Sequence, residues 1–222
     1  MNAKALVVLS GGQDSTTCLY WAMDRFGTDA VETLTFDYGQ RHKIEVGSAA
    51  AVADFANVPN TILPIDTFEA LGGNALTDKT IEVTEAADTD TNLPNTFVPG
   101  RNIVFLTYAA AYAWQRSIEH LVTGVAQTDY SGYPDCRSET IEALEQTLRL
   151  GMESNITIHT PLMNLSKKET VLLAQELGAI EAMALTHTCY EGMRPPCREC
   201  PACQLRAKGF DEAGISDPLL SA

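Results

Sequence analysis

The sequence predicts a doubly wound α/β protein, in which a parallel sheet lies between helices and a small cysteine-rich lobe follows at the C-terminal end. Strand-like apolar runs alternate with helical patterns from residue 5 to residue 177. The first run is apolar without interruption, as in a strand that is buried on both faces. Four of the six cysteines lie within residues 189–203, outside this alternating region.

The first part of the alternating region reads as three strands and two helices. Residues 5–10 (ALVVLS) form the first predicted strand, and residues 16–26 form a helix that Gly27 can end. The next predicted elements are a strand at 31–37, a helix at 45–57 and a strand at 61–65. Strand–helix–strand units of this kind build parallel sheets with helices on both faces.

The regular pattern breaks between about residues 67 and 95, where a stretch rich in Thr, Asp and Glu predicts a surface insertion. Ser166 and Glu169 match a capping box that starts the last predicted helix, and Gly178 follows its end. The elements predicted after the insertion are helices at 103–116, 139–152 and 166–177, and strands at 120–124 and 156–159.

Composition and charge limit the location and partners of the protein. The 222 residues include 29 acidic and 15 basic side chains, and the net charge of -14 disfavours nucleic acid and anionic membranes as partners. The apolar run at 5–9 is too short for a signal peptide, and no run approaches the roughly 20 residues of a membrane span. We therefore expect a cytoplasmic protein, in which clustered cysteines more often bind metal than form disulfides.

A glycine-rich loop follows the first predicted strand and is the best candidate for an anion site. Ligands of open α/β sheets bind at the carboxyl ends of the strands, and two glycines allow the backbone to approach them closely. Backbone N–H groups at the helix start favour an anion, and Asp14 suits a Mg²⁺ ion on a phosphate. A Gly-Gly turn capped by serine is the simpler alternative. The loop reads Ser10-Gly11-Gly12-Gln13-Asp14-Ser15-Thr16.

This loop is neither a Walker loop nor a dinucleotide-binding G-x-G-x-x-G, which argues against P-loop kinases and dinucleotide oxidoreductases. It resembles the S-G-G-x-D-S loop of the ATP-pyrophosphatase (PP-loop) superfamily. The resemblance implies an adenine nucleotide alpha hydrolase-like fold, a loop that holds the pyrophosphate part of ATP, and attack on the α-phosphate to give an adenylated intermediate.

The cysteine lobe contains the spacing C-x7-C-x2-C-x2-C, formed by Cys189, Cys197, Cys200 and Cys203. Four thiolates so close in sequence predict a closed tetrahedral Zn²⁺ site with a structural role. The alternatives are chance clustering, a redox pair or an iron–sulfur cluster, which also uses x2 spacings. His187 could replace one ligand, although four cysteines already suffice.

These features divide the chain into an α/β domain at 1–185, the cysteine lobe at 186–210 and a tail at 211–222. A homodimer is also considered. The Ala-rich helix at 103–116 carries aromatic side chains that would serve either a subunit interface or the core, namely Tyr108, Tyr112 and Trp114.

Four further motifs narrow the family. They are DYGQRH at 37–42, FVPGRN at 97–102, DYSGYPDCR at 129–137 and LMNLSK at 162–167. Together with the glycine-rich loop and the cysteine spacing, they resemble the QueC family of queuosine biosynthesis, and the likeness extends from about residue 6 to residue 210.

The resemblance implies an ATP-dependent ligase that converts 7-carboxy-7-deazaguanine and ammonia into 7-cyano-7-deazaguanine for tRNA modification. Adenylation would turn a carboxylate oxygen into a leaving group, ammonia would give the amide, and a second adenylation would permit loss to the nitrile. The small-molecule substrate, ammonia, ATP, Mg²⁺ and structural Zn²⁺ are the expected ligands.

The resemblance also implies roles for particular residues. Asp14 and Arg101 are the predicted catalytic residues, with Arg101 neutralising charge that develops on the phosphates. Asp129 or Asp135 would accept hydrogen bonds from the N1–H and amino group of the base, with turn or cap chemistry as the alternative. The predicted cofactor-binding residues are Leu9, Ser10, Gly11, Gly12, Gln13, Asp14, Ser15, Thr16, Thr17, Cys18 and Leu19.

Three other functions are compatible with parts of the sequence. A tRNA thiolase would use the same ATP chemistry, but it must bind a polyanion and needs cysteines that are free of metal. A zinc-containing binding module would explain the cysteine lobe but not the glycine-rich loop. An ammonia-dependent amide ligase related to NAD synthetase shares the loop and differs only in its carboxylate substrate.

Overall fold

The computed structural model describes residues 4–40, 43–76, 81, 93–127 and 133–220. A five-stranded parallel sheet forms its centre. The strands are β1 (Ala5–Val8), β2 (Val31–Asp37), β3 (Asn60–Pro64), β4 (His120–Val122) and β5 (Thr157–His159). Their order is β3-β2-β1-β4-β5, and every neighbouring pair is parallel.

Seven α-helices accompany the sheet in the described part of the chain. They are α1 (Gln13–Phe26), α2 (Ile44–Phe55), α3 (Thr67–Leu71), α4 (Arg101–Trp114), α5 (Ser138–Met152), α6 (Lys167–Glu176) and α7 (Pro201–Ala213). No described helix is long and apolar enough to cross a bilayer.

Strand β1 is central, and its side chains alternate between two apolar layers. Leu6 joins the layer formed with α4 and α5, whereas Ala5 and Val7 join the layer formed with α1 and α2. All three side chains are fully buried. This arrangement confirms the predicted doubly wound class, because helices cover both faces of a parallel sheet.

The strand order creates a crevice beside β1. The chain proceeds from β1 outward through β2 to β3 and then returns to the other side of β1 to form β4. The connection that follows β1 and the one that follows β4 therefore run in opposite directions along the sheet. A point where the direction reverses in this way leaves a crevice at the carboxyl ends of the two strands.

The C-terminal part of the chain packs back onto the α/β domain. Phe210 of α7 lies in an apolar cluster with Val171 and Ala174 of α6. Arg206 and Asp217 are both buried, and the guanidinium donates to both carboxylate oxygens at 2.7 and 2.8 Å. This bidentate pair attaches the segment after α7 to the helix.

Most predicted elements are present with small shifts at their ends. The capping box at Ser166 is confirmed, since its side chain accepts from the Glu169 N–H and the Glu169 carboxylate accepts from the Ser166 N–H. Helix α1 begins at Gln13 instead of residue 16, because Gly12 is its N-terminal cap. The final part of the predicted loop is therefore the first turn of a helix.

Two further observations concern the predicted insertion and the predicted domain boundaries. Helix α3 occupies the start of the predicted insertion, whereas residues 77–80 and 82–92 of that insertion lie outside the described residues. Helix α7 runs through the predicted boundary between residues 210 and 211 and ends at Ala213. The helix thus joins the cysteine lobe to the tail without a break.

Candidate active site and metal centre

A cavity of about 350 Å³ opens at the carboxyl ends of β1 and β4. Its wall comes from the β1–α1 loop, the starts of α4 and α6, the segment after β2 and the segment that leads into the cysteine lobe. The cavity thus lies at the crevice that the strand order predicts for a ligand.

The glycine-rich loop turns tightly because Gly11 adopts a positive φ of 84°. A Cβ atom at this position would lie 2.4 Å from the carbonyl oxygen of Glu45 and 2.6 Å from the backbone nitrogen of Ala49. Only glycine therefore allows the loop to pack against α2. The close approach fixes the position of the loop relative to the helix.

The hydroxyl of Ser15 closes the loop from the side of α1. It accepts a hydrogen bond from the backbone N–H of Ser10 at 3.2 Å and donates to the carbonyl oxygen of Gly12 at 3.1 Å. Its oxygen also lies 3.0 Å from the Ser10 hydroxyl oxygen. The start of α1 thus faces the cavity in a fixed conformation, as a helix N-terminus that binds an anion requires.

The predicted cofactor-binding residues lie in two layers. Gly11 and Thr16 lie behind the loop surface, and Thr16 donates to the carbonyl oxygen of Gly12 at 2.9 Å. The side chains of Thr17, Cys18 and Leu19 are buried in the core below the loop, which identifies Cys18 as a core residue. The members of the set that line the cavity are Leu9, Ser10, Gly12, Gln13, Asp14 and Ser15.

Asp14 projects into the cavity from the first turn of α1. Its Oδ2 atom accepts a hydrogen bond from Nζ of Lys167 at 2.7 Å. Its Oδ1 atom is buried and lacks a hydrogen-bond partner among the described residues. A buried carboxylate oxygen without a partner suits a hard cation such as Mg²⁺, so this residue fits the predicted magnesium site.

Arg101 enters the cavity from the first position of α4. Its Nη1 atom donates to the hydroxyl of Tyr38 at 3.4 Å, and its guanidinium carbon lies 5.8 Å from the centre of that ring. Burial lowers the pKa of Arg101, but the phenol groups of Tyr38 and Tyr133 and the Asp135 carboxylate outweigh burial and raise it. The side chain therefore carries a permanent positive charge into the cavity.

The carboxylate of Glu45 also lines the cavity, from the first turn of α2. Burial raises the pKa of this group to about 7, against the opposing effect of the Arg101 charge. A carboxyl group whose pKa lies near neutrality can accept and release protons under ordinary conditions. No sequence motif had indicated this residue.

The two predicted substrate residues have different outcomes. Asp129 lies outside the described residues. Asp135 is buried, and its Oδ2 atom accepts a hydrogen bond from the backbone N–H of Asn102 at 2.9 Å. The carboxylate thus caps the start of α4, and its neighbour Cys136 lines the cavity.

The four predicted metal ligands converge in the cysteine lobe. The Sγ atoms of Cys189, Cys197, Cys200 and Cys203 all lie within 4.8 Å of one another, and none forms a disulfide. The Sγ atoms of Cys197 and Cys203 are 3.8 Å apart. Four sulfur atoms bound to one zinc at about 2.3 Å would be separated by roughly this distance, so the residues fit a tetrahedral Zn²⁺ site.

The backbone around the sulfur cluster supports metal-bound thiolates. The N–H groups of Glu199 and Cys200 point at the Sγ atom of Cys197, at 3.4 and 3.3 Å. His187 lies outside the cluster, because its Nε2 atom donates to the carbonyl oxygen of Cys189 at 2.9 Å. The ring thus orients the first cysteine through its backbone and is not a fifth ligand.

The cysteine lobe and the glycine-rich loop are directly connected. The backbone N–H of His187 donates to the carbonyl oxygen of Gly11 at 2.8 Å. Tyr190, which follows the first cysteine, lines the same cavity as the loop. An ordered lobe therefore completes the wall of the cavity.

Sequence analysis assigned no role to several cavity residues with ionisable side chains, among them Lys167, Glu45 and Tyr190. Lys167 belongs to a quoted motif, but it lies far along the chain from Asp14, and no local pattern links them. Tyr190 directly follows Cys189, a predicted zinc ligand, and this position was the only sequence feature that pointed to it. For Glu45 there was no signal, because a glutamate in the first turn of a helix is ordinary.

The sequence matches a known protein family over almost its whole length. Residues 4–214 match the family model described as queuosine biosynthesis protein QueC. The chain belongs to the QueC family. This membership confirms the resemblance that the sequence motifs indicated, and it places the chain among enzymes of queuosine biosynthesis rather than thiolases or zinc-containing binding modules.

Several QueC relatives are similar over almost their whole length. The chain is 66% identical to 7-cyano-7-deazaguanine synthase of Chromobacterium violaceum, over 98% of this chain and 93% of that protein. It is 63% identical to the enzyme of the same name from Laribacter hongkongensis, over 98% and 94%. The corresponding Bacillus subtilis enzyme is 51% identical, over 94% of both chains.

Solved structures with low sequence identity share the fold alone. A predicted subunit of a tRNA methyltransferase from Methanocaldococcus jannaschii has a TM-score of 0.50 and 20% identity, covering 78% of this chain and 75% of that one. NMN synthetase from Francisella tularensis has a TM-score of 0.52 and 14% identity, covering 99% and 77%. Both agree with the α/β class of the QueC chain.

Proposed function

We propose that this QueC chain uses ATP to convert 7-carboxy-7-deazaguanine and ammonia into 7-cyano-7-deazaguanine, as the name of its relatives implies. The observation that carries the proposal is the 66% identity to a 7-cyano-7-deazaguanine synthase over 98% of the chain. The cavity supports it, because the glycine-rich loop, the Asp14 carboxylate and the half-buried Arg101 guanidinium meet there.

In this proposal the glycine-rich loop binds the pyrophosphate part of ATP. The start of α1 lines the cavity, and a helix N-terminus favours negative charge. Asp14 would hold Mg²⁺ through its unpartnered Oδ1 atom, while Lys167 holds the other oxygen. When bound, Mg²⁺ would neutralise charge on the phosphates.

Arg101 is proposed to stabilise charge that develops on the α-phosphate during adenylation. Its guanidinium is held by Tyr38 and opens onto the cavity. A charged donor that is already oriented and partly removed from water stabilises a developing charge more effectively than a mobile one.

The four cysteines are proposed to hold a structural Zn²⁺ ion that keeps the lobe in contact with the loop. All four ligand positions are filled by protein, so the ion would have no open position for substrate. In this proposal, the residues of the lobe that act at the cavity are His187, through its N–H bond to Gly11, and Tyr190.

The reaction needs activation because a carboxylate cannot lose oxide at neutral pH. A carboxylate oxygen of the substrate would attack the α-phosphate of ATP, and pyrophosphate would leave. Ammonia would then displace AMP to give the amide, and the amide oxygen would be adenylated in turn before loss to the nitrile. One cavity suits both steps, because the acid and the amide have nearly the same shape.

A cytoplasmic location and a homodimer are also proposed. Trp114 and Tyr108 of α4 are exposed, whereas the Tyr112 hydroxyl lies 2.8 Å from that of Thr61 and is part of the fold. Exposed aromatic side chains on one helix suit a subunit interface. Sedimentation of the purified protein would test this assembly.

The function is tested by incubating zinc-replete protein with ATP, Mg²⁺, ammonium and 7-carboxy-7-deazaguanine, followed by mass spectrometry. We expect a nitrile product together with AMP and pyrophosphate. Formation of the amide without the nitrile would identify the protein as an amide synthetase and would contradict the second, nitrile-forming step. ATP–pyrophosphate exchange with another carboxylate alone would retain the ATP chemistry and contradict the substrate, as in an ammonia-dependent amide ligase.

A pair of variants connects the activity to the cavity. Asp14→Asn removes the charge of the proposed magnesium ligand, and we expect product formation to fall by about 10²–10³-fold. Asp24→Asn makes the same change at an exposed position of the same helix and should retain wild-type activity. Equal activity of the two variants would contradict the assigned magnesium site.

A further inference from the structure

Glu45 occupies a fixed position beside the glycine-rich loop. It lies in the first turn of α2, and its side chain opens onto the cavity. Its carbonyl oxygen lies 2.4 Å from the point that a Cβ atom of Gly11 would occupy. The backbone of Glu45 is therefore packed directly against the loop that faces the proposed phosphate site.

Two carboxylates, those of Asp14 and Glu45, line the cavity in the described part of the chain, and they differ in their bonding partners. Asp14 forms an ion pair with Lys167 at 2.7 Å. The charge of Glu45 is opposed mainly by burial and is supported by the charge of Arg101, without a hydrogen bond to a described residue. With Asp14 assigned to Lys167 and the proposed Mg²⁺, Glu45 is the cavity carboxylate that remains available to another ligand.

The groups that face Glu45 come from three different segments. Arg101 lies at the start of α4, Tyr38 follows β2, and Tyr190 lies in the cysteine lobe. Burial raises the pKa of Tyr38, so this phenol remains neutral near pH 7. Burial also raises the pKa of Glu45 to about 7, in the range where a carboxylate accepts a proton at neutral pH.

We propose that the Glu45 carboxylate binds the ammonium ion in this cavity and accepts its proton, which releases ammonia next to the adenylated substrate. This inference rests on the proposed function and adds a catalytic residue to it. Ammonium is the dominant form of ammonia in neutral water, and it has no lone pair with which to attack carbon. A half-buried carboxylate that lines the cavity can both attract the cation and remove its proton.

The atoms balance with Glu45 as the only added base. An N–H bond of ammonium breaks, and its proton passes to a carboxylate oxygen of Glu45. The nitrogen lone pair forms the C–N bond as the bond between carbon and the AMP oxygen breaks, and a further proton passes from the nitrogen to water in the open cavity to give the amide. Glu45 returns its proton to solvent through the open cavity before the next step.

The same position suits the formation of the nitrile. After the amide oxygen has been adenylated, two N–H bonds must break while the C–O bond to AMP breaks and the C≡N bond forms. One proton passes to Glu45 and the other to water, and both leave the same nitrogen atom that arrived as ammonium. A base placed beside this atom in the first stage is therefore also in place for the second.

The test compares Glu45→Gln with Asp54→Asn, which makes the same isosteric loss of charge at an exposed position of the same helix. ATP–pyrophosphate exchange with 7-carboxy-7-deazaguanine, without ammonium, measures adenylation alone. Single-turnover amide formation with ammonium measures the nitrogen step. We expect Glu45→Gln to retain exchange and to form amide about 10²-fold more slowly, and Asp54→Asn to match the wild type in both assays.

Hydroxylamine gives a second measurement, because this nucleophile is largely uncharged at neutral pH and needs no base to release its lone pair. Hydroxamate formation by Glu45→Gln should therefore remain within a few-fold of the wild type. Amide formation at the wild-type rate, equal loss with both nucleophiles, or loss of pyrophosphate exchange would each overturn the assignment of Glu45. Absence of nitrile formation by the wild type would instead contradict the proposed function itself.

Discussion

The Nζ atom of Lys167 lies 2.7 Å from Oδ2 of Asp14, although 153 positions separate the two residues in the chain. Lys167 is the first residue of α6, and Asp14 lies in the first turn of α1. The ion pair thus joins two helix starts at the mouth of the crevice. Gly209 of α7 packs against Lys167, since a Cβ atom at residue 209 would lie 3.0 Å from that of the lysine.

Replacement of Lys167 by Met should impair adenylation. The change leaves the Asp14 carboxylate without its partner and removes a positive charge from the proposed phosphate site. We expect ATP–pyrophosphate exchange to fall by about 10²-fold. Lys168→Met is the matched control, because Lys168 is exposed on the same helix. Similar exchange rates for the two variants would contradict a role of Lys167 at the cavity.

Replacement of Gly11 by Ala should distort the loop. The new Cβ atom would lie 2.4 Å from the Glu45 carbonyl oxygen, and the positive φ alone costs an alanine about 1–3 kcal/mol. We expect a lower free energy of unfolding in urea together with weaker ATP binding. Gly47→Ala in α2 meets no atom within 4 Å and should instead stabilise the protein by roughly 0.5–1 kcal/mol. A Gly11→Ala variant as stable as wild type would show that the loop can move away from α2.

Removal of the metal should destabilise the cysteine lobe and weaken ATP binding together. One zinc per chain is expected by elemental analysis. Cys200→Ser should lose the zinc and about 4 kcal/mol or more of unfolding free energy. ATP affinity should fall as well, because the lobe contacts the loop through the His187 N–H and the Gly11 carbonyl.

Thiol titration provides the control for the metal assignment. Cys136 is not a member of the sulfur cluster, so Cys136→Ser should retain a full complement of zinc. In the native wild type, a strong chelator should release four additional reactive thiols. Four thiols that react equally with and without chelator would contradict a metal centre, and bound iron in place of zinc would support the iron–sulfur alternative.

A pair of histidines should make stability depend on pH. Nδ1 of His120 lies 3.1 Å from Nε2 of His159, and the Phe26 ring stacks on His120 at a centroid distance of 4.9 Å. Burial lowers the pKa of His159 from its ordinary value of 6.5, and the charges of His120 and Arg25 lower it further against the opposing charge of Glu145. The folded protein therefore binds this proton less readily than the unfolded chain does.

It follows that the contribution of neutral His159 to stability is complete above pH 6.5 and is lost as the pH falls below that value. Urea unfolding should be measured at several pH values between pH 7 and the pKa of His159 in the folded protein. Over this range, the free energy of unfolding should fall more steeply for wild type than for His159→Gln. Parallel curves would contradict the lowered pKa. A direct NMR titration of the two imidazoles would separate their contributions.

Local sequence patterns were sufficient to predict the helices and strands, and also those parts of the site whose residues are close together in the sequence. The capping box at Ser166, the glycine-rich loop and the four cysteines each carry their information within fifteen residues. Their chemistry depends on the spacing of residues within one short segment of the chain. For this reason the α/β class and the convergence of the cysteines could be predicted before the strands were ordered.

The remaining features depend on contacts between distant parts of the chain. The position of β4 beside β1 decides which loops face the crevice, and no local pattern encodes it. The pairing of Lys167 with Asp14 and the entry of Glu45 into the cavity follow from that order. Asp135 illustrates the same limit, because its bond to the Asn102 N–H exists only once α4 has folded against it.

The ion pair between Arg206 and Asp217 sets a lower limit on how far the C-terminal end can be shortened. A chain cut at residue 210 would end inside α7, and one cut at 214 would still lack Asp217, leaving the guanidinium of Arg206 buried without its counter-charge. Loss of one partner of such a pair costs about 3–5 kcal/mol. Purification tags, reporter fusions and split-protein designs should therefore be joined beyond this aspartate.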